Sequence, residues 1–388
     1  MSPAVLRELR KFVAPEFITG DNSRVFAGRY AGNFRSKNII LATDKKVLKQ
    51  PWMKEITAGL DENSIEYTIF SDISENTRES DVMTGADVYE SGECTGIVAV
   101  GGGSVLDCAK GIGIVVANKG HISDYVGVDL VTNPCPPMIC VPTTAGSSAD
   151  VSQYAVIRSA EKRKKSIIVS KSIVPDVTLI DPVTLATLPD SVTINSGIDA
   201  LTHAIEAYVS NGSSHLSSLL SLEAIRLLGQ SFPYPEEKRS DLDFRFDTML
   251  ASLYAGIAFS NAGLGLIHSM SHAIGGIFDL PHGLSSSIVM DPVISYNYNY
   301  VPEGYRKIAE ALGIDVKNKG ADDLLDEIFG KISMMRGNGQ EDLSLSSYGA
   351  SEDDIEELVK RTYDDPCIAT NPVIPSAEVL RIIFQNLL

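Results

Sequence analysis

Short apolar runs rich in β-branched residues recur through the first half of this 388-residue chain and then stop. They cover residues 38–43, 65–70, 96–100, 138–141 and 177–180. Stretches of helical character separate these runs, and strands that are joined through crossover helices pair in parallel. The pattern predicts an α/β domain built on a mostly parallel sheet.

The pattern changes after residue 182. Apolar residues recur with the period of a helix over residues 192–208, 216–228 and 242–258, and clusters of β-branched residues become scarce. A chain of this length also suits two cores of about 150–200 residues each. We therefore predict an α/β domain over residues 1–184 and an all-helical domain over residues 185–388.

Charge and composition narrow the function classes. The formal net charge of −17 argues against nucleic acid and anionic membrane surfaces as partners. Charged residues interrupt the apolar positions of residues 1–20, and no apolar segment approaches the about 20 residues that span a bilayer. We therefore expect a cytoplasmic protein without a signal peptide. The five cysteines lack the spacing of a metal or redox motif, so any metal is expected to be held by histidine and carboxylate.

Three glycines and a serine, Gly101 to Ser104, follow the predicted strand 96–100 and precede a predicted helix. Glycines let backbone amides approach a phosphate, and the start of a helix presents free N–H groups. The same glycines can instead serve only the geometry of a strand-to-helix turn. The loop also lacks the Gly-x-Gly-x-x-Gly spacing of a standard dinucleotide-binding turn, so both interpretations stay open.

A second polar loop, residues 142–148, follows the predicted strand 138–141 and contains Thr143, Thr144 and Ser147. Its hydroxyls suit phosphate or ribose, although a helix cap uses the same residues. Asp44 follows the strand 38–43, where a carboxylate either closes a turn or binds the ribose of NAD. Loops after parallel strands meet at the carboxyl edge of the sheet, so the sequence predicts that both loops lie where ligands bind in open α/β folds.

Histidines and one aspartate cluster in the second half in apolar surroundings. Asp199 and His203 are spaced i, i+4, as are His268 and His272, and His282 follows in a short loop. An i, i+4 pair lies on one face of a helix. Burying so many titratable groups is costly unless they are paired or bind a cation. Spacing alone does not select three or four ligands from the five candidates, and the simplest choice would pair His268 with His272.

Together these motifs resemble the iron-containing (group III) alcohol dehydrogenase family. The resemblance extends from about Phe12 to the last residue and is strongest in four segments. These are residues 101–107, residues 143–146, residues 199–206, and residues 261–272 with 281–283. The closing segment, residues 367–372, is also similar. The resemblance implies an α/β NAD-binding domain with a Rossmann-like parallel sheet, followed by an all-helical metal-binding domain.

The resemblance implies a role for each matching residue. The implied metal ligands are Asp199, His203, His268 and His282. The resemblance places His272 outside the set of ligands, on the substrate side, as a proton relay. It implies Asp107 as a second catalytic residue. The implied cofactor contacts are Asp44, Asn76, Gly102, Gly103, Ser104, Asp107, Thr143, Thr144, Ser147, Ser152 and Lys165, with Asp44 selecting NAD.

The implied reaction interconverts a small primary alcohol or diol and its aldehyde. A metal-bound alkoxide would pass a hydride to NAD, with the metal lowering the pKa of the alcohol. Three imidazoles and one carboxylate accept Fe²⁺, with Zn²⁺ as the alternative. The resemblance also implies a homodimer or an assembly of dimers.

The sequence departs from the family pattern in three places. Glu75 and Thr77 flank Asn76 where the family often has prolines, Asp150 replaces a glutamate, and Val105 replaces a proline. A dehydroquinate synthase-like or glycerol-phosphate-type enzyme is disfavoured, because residues 186–300 hold few basic residues for a phosphorylated substrate. A silent nucleotide-binding protein is disfavoured because all four implied ligands are present.

Overall fold

The main sheet of the protein is six-stranded and entirely parallel. Its strands are β1 Glu16–Thr19, β2 Asn38–Thr43, β3 Glu66–Phe70, β4 Gly96–Gly101, β6 Met138–Pro142 and β9 Val177–Ile180. Their spatial order is β1-β9-β6-β4-β2-β3. The computed structural model describes residues 11–232, 240–337 and 343–388. The predicted runs form neighbouring parallel strands, which confirms the predicted fold of this half.

Helices cover both faces of the sheet, as a doubly wound fold requires. The helices of this half are α1 Ala27–Asn33, α2 Met53–Glu62, α3 Glu79–Ser91 and α4 Gly103–Asn118. Alternate residues of β2 enter different cores: Ile39 and Leu41 pack in one apolar cluster, and Ile40 and Ala42 in another. Because both faces of the strand are buried, it reads in the sequence as a continuous apolar run.

The strands outside the predicted runs have polar or exposed residues. The edge strand β1 is mostly exposed. A second sheet consists of β5 Gly127–Val128, β7 Tyr154–Ser159 and β8 Lys164–Val169, in which β7 and β8 form an antiparallel hairpin. The basic residues Arg158, Lys164 and Lys165 interrupt the apolar pattern of this hairpin, so the sequence did not indicate it.

In the described residues after Leu185 the regular elements are helices, as predicted. They are α5 Asp190–Val209, α6 His215–Ser231, α7 Leu242–Ala262, α8 Leu266–Phe278, α9 His282–Tyr298, α10 Pro302–Ala311, α11 Ala321–Arg336, α12 Ile355–Tyr363 and α13 Ala377–Asn386. One apolar cluster joins them from Ile198 to Phe384. Within the described ranges no single helix is long and apolar enough to cross a membrane; α7 and α8 pass such a test only together, across a 100° bend.

Candidate metal and cofactor site

Four side chains from three helices converge where the helical half faces the carboxyl edge of the sheet. Asp199 and His203 lie one turn apart on α5, His268 lies on α8, and His282 is the first residue of α9. One possible ligand atom from each lies within 4.8 Å of the other three. The i, i+4 spacing places the first pair on one face, and the packing of α5 and α8 against α9 brings the others to it.

Each of the three imidazoles uses Nδ1 for a contact with the protein. Nδ1 of His203 lies 3.1 Å from the carbonyl oxygen of Gly146, and Nδ1 of His282 lies 3.3 Å from the Ser271 hydroxyl. Nδ1 of His268 lies 2.6 Å from a carboxylate oxygen of Glu206. These contacts leave Nε2 of each ring for a shared ligand, which is the usual arrangement behind metal-binding histidines.

Two buried atoms of the cluster have no hydrogen-bond partner among the described residues: Oδ1 of Asp199 and Nε2 of His268. Nε2 of His282 is 3.4 Å from the same Asp199 oxygen. Burial raises the pKa of Asp199 to about 6 and lowers the pKa of both His203 and His282 well below the ordinary value. The contact with Glu206 outweighs burial and raises the pKa of His268. Three imidazoles, two of them with strongly lowered pKa values, and one buried carboxylate are a donor set that fits Fe²⁺ or Zn²⁺.

His272 lies beside this cluster and has different partners. Its ring centroid is 5.2 Å from that of His282 and 5.8 Å from that of His268. Its Nδ1 lies 2.9 Å from Oδ2 of Asp365, and the two residues group with Cys367. The simplest choice from spacing, His268 paired with His272, therefore differs from the geometry, in which His282 and the α5 pair surround His268.

A cleft of about 1160 Å³ runs from this cluster to the glycine loop. Every candidate residue of the sequence analysis lines it. From the sheet half these are Asp44, Asn76, Gly102, Gly103, Ser104, Asp107, Thr143, Thr144, Ser147, Ser152 and Lys165, and from the helical half Asp199, His203, His268, His272 and His282. One cleft therefore joins the two candidate sites.

The two polar loops pack tightly against each other at the start of α4. Gly102 precedes the helix without a side-chain cap. A Cβ atom on Gly103 would lie 2.7 Å from Oγ of Ser147, and one on Gly102 would lie 3.1 Å from Cγ2 of Thr144. A side chain on Gly103 would therefore force Ser147 to move, whereas glycine leaves the uncapped amides at the helix start open to an anion.

Several cofactor candidates already have protein partners. Oδ1 of Asp44 accepts hydrogen bonds from the amides of Lys46 at 2.7 Å and Val47 at 2.9 Å, so this residue also closes a turn. The Ser104 hydroxyl donates to the backbone oxygen of Glu75. Nδ2 of Asn76 donates to Oδ1 of Asp279 at 2.8 Å, which links the sheet half to the end of α8. Asn76 therefore bridges the two halves at the cleft.

Burial shifts the pKa values of two charged candidates on the sheet side, Asp107 and Lys165. Burial raises the pKa of Asp107 to about 7 and lowers the pKa of Lys165 to about 8. The backbone of Ser152 is fixed by Lys110, whose Nζ donates a hydrogen bond to the Ser152 carbonyl oxygen at 2.8 Å. Perturbed pKa values in a cleft are typical of functional sites.

Sequence reasoning missed two carboxylates that hold the histidines, Glu206 and Asp365. Glu206 lies within the motif 199–206, three residues after His203, so a signal for it was present. Asp365 lies 93 residues after His272, and nothing local to it indicates the contact. Both residues are buried.

A parallel sheet whose cleft ends at a buried cluster of three imidazoles and a carboxylate is typical of metal-dependent dehydrogenases. Residues 14–182 match the family model described as iron-containing alcohol dehydrogenase. Residues 193–388 match the C-terminal model of the Fe-containing alcohol dehydrogenase family. The chain belongs to the iron-containing alcohol dehydrogenase family, which confirms the resemblance seen in the sequence.

Curated relatives and solved structures cover nearly the whole chain. The chain is 31% identical to the NAD-dependent methanol dehydrogenase of Bacillus methanolicus over 377 residues, 97% of this chain and 99% of the relative. It is 32% identical to the 1,3-propanediol dehydrogenase of Klebsiella pneumoniae over 369 residues, 95% of each chain. A crystal structure of a 1,3-propanediol oxidoreductase is 31% identical, with a TM-score of 0.92 over 98% of this chain and 100% of that one.

Proposed function

We propose that this protein is an NAD- and metal-dependent dehydrogenase that interconverts a small primary alcohol or diol and its aldehyde. The observation that carries the proposal is the pair of unpartnered buried atoms, Oδ1 of Asp199 and Nε2 of His268, in the cleft that holds the glycine loop. Leaving such atoms unpaired is costly, and a divalent cation satisfies both. Relatives named for methanol and 1,3-propanediol support an alcohol or diol as substrate.

The metal would be held by Asp199, His203, His268 and His282, with Fe²⁺ as the proposed ion and Zn²⁺ as the alternative. A divalent ion there supplies the positive charge that acidifies an alcohol hydroxyl and polarises the carbonyl of the aldehyde. The Nδ1 contacts of the three imidazoles fix the rings before binding, so little reorganisation is needed.

The cofactor would lie along the sheet edge. Gly102, Gly103 and the first amides of α4 would receive its diphosphate. The carboxylate of Asp44 would repel a 2′-phosphate, which favours NAD over NADP. The remaining proposed contacts are Asn76, Ser104, Asp107, Thr143, Thr144, Ser147, Ser152 and Lys165. This placement would direct the nicotinamide end of the cofactor towards the histidine cluster.

The substrate end of the cleft has an aromatic wall. The ring of Phe259 stacks on His203 with centroids 4.3 Å apart, and Tyr154 meets Phe259 edge-on at 5.4 Å. Leu264 lines the cleft beside them. An apolar wall suits the carbon chain of a small uncharged alcohol. His272 would take the hydroxyl proton during oxidation and return it during reduction.

The test is NADH formation by protein stripped of metal and reloaded with Fe²⁺ under anaerobic conditions, or with Zn²⁺, on a panel of short alcohols and diols. We expect turnover that depends on added metal and is abolished in His268→Ala. His121→Ala is the matched control, because His121 is exposed and lies outside the cleft. NADH binding without turnover for any metal and any alcohol would refute the proposal.

The homodimer and the cytoplasmic location remain predictions from the sequence. Sedimentation of the purified protein tests the first. A monomer at micromolar concentration would contradict it.

A further inference from the structure

Asp365 is a buried carboxylate outside the metal cluster, and it touches the imidazole beside that cluster. Only 7% of its surface is exposed, and 5% of that of His272. Oδ2 of Asp365 accepts a hydrogen bond from Nδ1 of His272 at 2.9 Å. Burial raises the pKa of Asp365, but its contacts with His272 and Cys367 outweigh that effect and hold the pKa below its ordinary value. The pair is therefore a carboxylate with a bound imidazole N–H.

The backbone fixes Asp365 from the other side. Its Oδ1 accepts a hydrogen bond from the amide of Cys367 at 2.9 Å and thereby caps the short helix Pro366–Thr370. Pro366 at the first helical position restricts the backbone directly after Asp365. Each carboxylate oxygen thus accepts from its own donor. A donor group in place of either oxygen would lose that hydrogen bond. This arrangement fixes the orientation of the His272 ring.

A neutral imidazole carries its proton on one nitrogen and accepts with the other. When Nδ1 carries the proton, Nε2 is the acceptor, and the bond to Asp365 favours this tautomer. His272 lines the cleft, and Nε2 is the nitrogen left for it. The oxidation of an alcohol needs a proton acceptor in the cleft, because the hydroxyl must lose its proton as the hydride is transferred. Nε2 of His272 would be such an acceptor.

We propose that Asp365 is a positioning residue that holds His272 in the Nδ1–H tautomer, with Nε2 ready to accept the proton of the substrate hydroxyl. This inference rests on the proposed function. In the oxidation the hydroxyl O–H bond breaks and a bond to Nε2 forms. The carbon-bound hydrogen would leave with its electron pair for a bound NAD, and the carbon–oxygen bond would become a carbonyl.

The variant Asp365→Asn separates this role from simple packing. Asparagine has the same shape but offers one acceptor oxygen and one NH₂ donor. If its oxygen serves the Cys367 amide, its NH₂ faces Nδ1 of His272, and the ring must move its proton to Nε2. If the side chain flips, the cap of the helix Pro366–Thr370 is lost instead. In both cases one of the two donors, Nδ1–H of His272 or the amide of Cys367, loses its acceptor.

The first measurement is the tautomer of His272 in metal-free, cofactor-free protein labelled with ¹⁵N-histidine, with His272→Ala to assign its resonances. Long-range ¹H–¹⁵N spectra distinguish the two tautomers. We expect Nδ1–H in the wild type and Nε2–H in Asp365→Asn. An Nε2–H tautomer in the wild type would overturn the inference even if the variant did not fold.

The second measurement is turnover of the metal-loaded enzyme with NAD and its best alcohol. We expect Asp365→Asn to lower kcat by at least about 10-fold, with little change in KM, metal content or the Kd for NADH. In a His272→Ala background the same substitution should change kcat by less than about 2-fold, since the residue acts through His272. Asp364→Asn, an exposed neighbour, is the control.

The outcomes separate the inference from the proposed function. An equal loss of kcat with and without His272 would show a structural role and overturn the inference alone. A wild type without turnover on any alcohol would refute the proposed function and, with it, the catalytic meaning of the pair. The tautomer spectra would still report whether Asp365 orients His272.

Discussion

Oε2 of Glu206 lies 2.6 Å from Nδ1 of His268, and the same carboxylate accepts hydrogen bonds from the amides of Gly265 and Ile267. Both residues are almost completely buried. Helix α8 begins at Leu266 without a side-chain cap from its own N-cap residue. The Glu206 carboxylate from α5 accepts from two amides at this end, and Oδ1 of Asn371 accepts from the amide of Leu266 between them. The positive end of the helix stabilises that charge. One buried group therefore starts the helix and orients a candidate metal ligand.

We predict that Glu206→Gln weakens Zn²⁺ binding by about 10- to 100-fold, because an amide oxygen cannot serve three donors. Competition with a chromophoric chelator on stripped protein measures the affinity. Glu303→Gln, an exposed glutamate on α10, should bind as the wild type does. Unchanged affinity in Glu206→Gln would contradict a role in orienting His268.

The glycine loop yields a prediction about the cofactor alone. A Cβ atom on Gly103 would lie 2.7 Å from Oγ of Ser147, so alanine must push the two loops apart. We expect Gly103→Ala to raise the Kd for NADH by about 10-fold, measured by fluorescence titration of metal-free protein. Gly330→Ala is the control, since no atom lies within 4 Å of the added methyl group. Equal affinities would show that the diphosphate does not bind at this loop.

Lys110 is fully buried and supports the hairpin beneath the cleft. Its Nζ donates to the carbonyl oxygens of Ser152 at 2.8 Å and Tyr154 at 2.7 Å. Lys110→Met removes a buried donor from both oxygens and a cation near Asp107. We expect the free energy of unfolding in urea to fall by about 3 kcal/mol. Lys54→Met, at an exposed site of α2, should change it by less than about 0.5 kcal/mol. A similar loss in both variants would contradict this.

Asp150 yields a prediction about pH. Burial raises its pKa in the folded protein from 3.8 to about 6. Below pH 3.8 the carboxyl is mostly protonated in both the folded and the unfolded protein. Between pH 3.8 and about pH 6 the folded protein keeps this proton, whereas the unfolded chain has lost it, so folding must take up a proton. The wild type therefore loses stability across this window as pH rises, whereas Asp150→Asn has no such group.

We expect Asp150→Asn to gain on the order of 2 kcal/mol relative to the wild type between about pH 4 and pH 7, in metal-free protein. Urea unfolding at a series of pH values measures the difference. Asp61→Asn, an exposed residue of α2, should give a flat difference. A flat difference for Asp150→Asn would show that its carboxyl ionises normally in the folded state.

The sequence predicted the parts of the fold in which the residue pattern is set by burial in the core alone. Strand β2 is buried on both faces, so its central residues 39–42 are apolar without interruption. Hairpin β7–β8 carries Arg158 and Lys165 on residues that line the cleft, and these side chains conceal its strand pattern. A strand that serves a polar site loses the signal that would identify it.

The candidate ligands were predicted from short motifs in the sequence. The carboxylates that orient the histidines, Glu206 and Asp365, were not predicted. The spacing of Asp199 and His203 requires only a helix, and the resemblance supplied His268 and His282. Which nitrogen each ring presents depends on partners that lie far away in the sequence, such as Asp365 for His272. Such contacts arise from the packing of distant segments and have no short-range pattern.

Hairpin β7–β8 also bears on how this chain can be recombined with its relatives. It precedes residue 182, yet Ile167 shares an apolar cluster with Phe259, and β8 packs against α8. A Cβ atom on Gly276 would lie 3.1 Å from the amide nitrogen of Lys165. A chimera joined between residues 182 and 190 would combine one parent's hairpin with the other parent's helices. A viable crossover must instead exchange the hairpin together with α7 and α8.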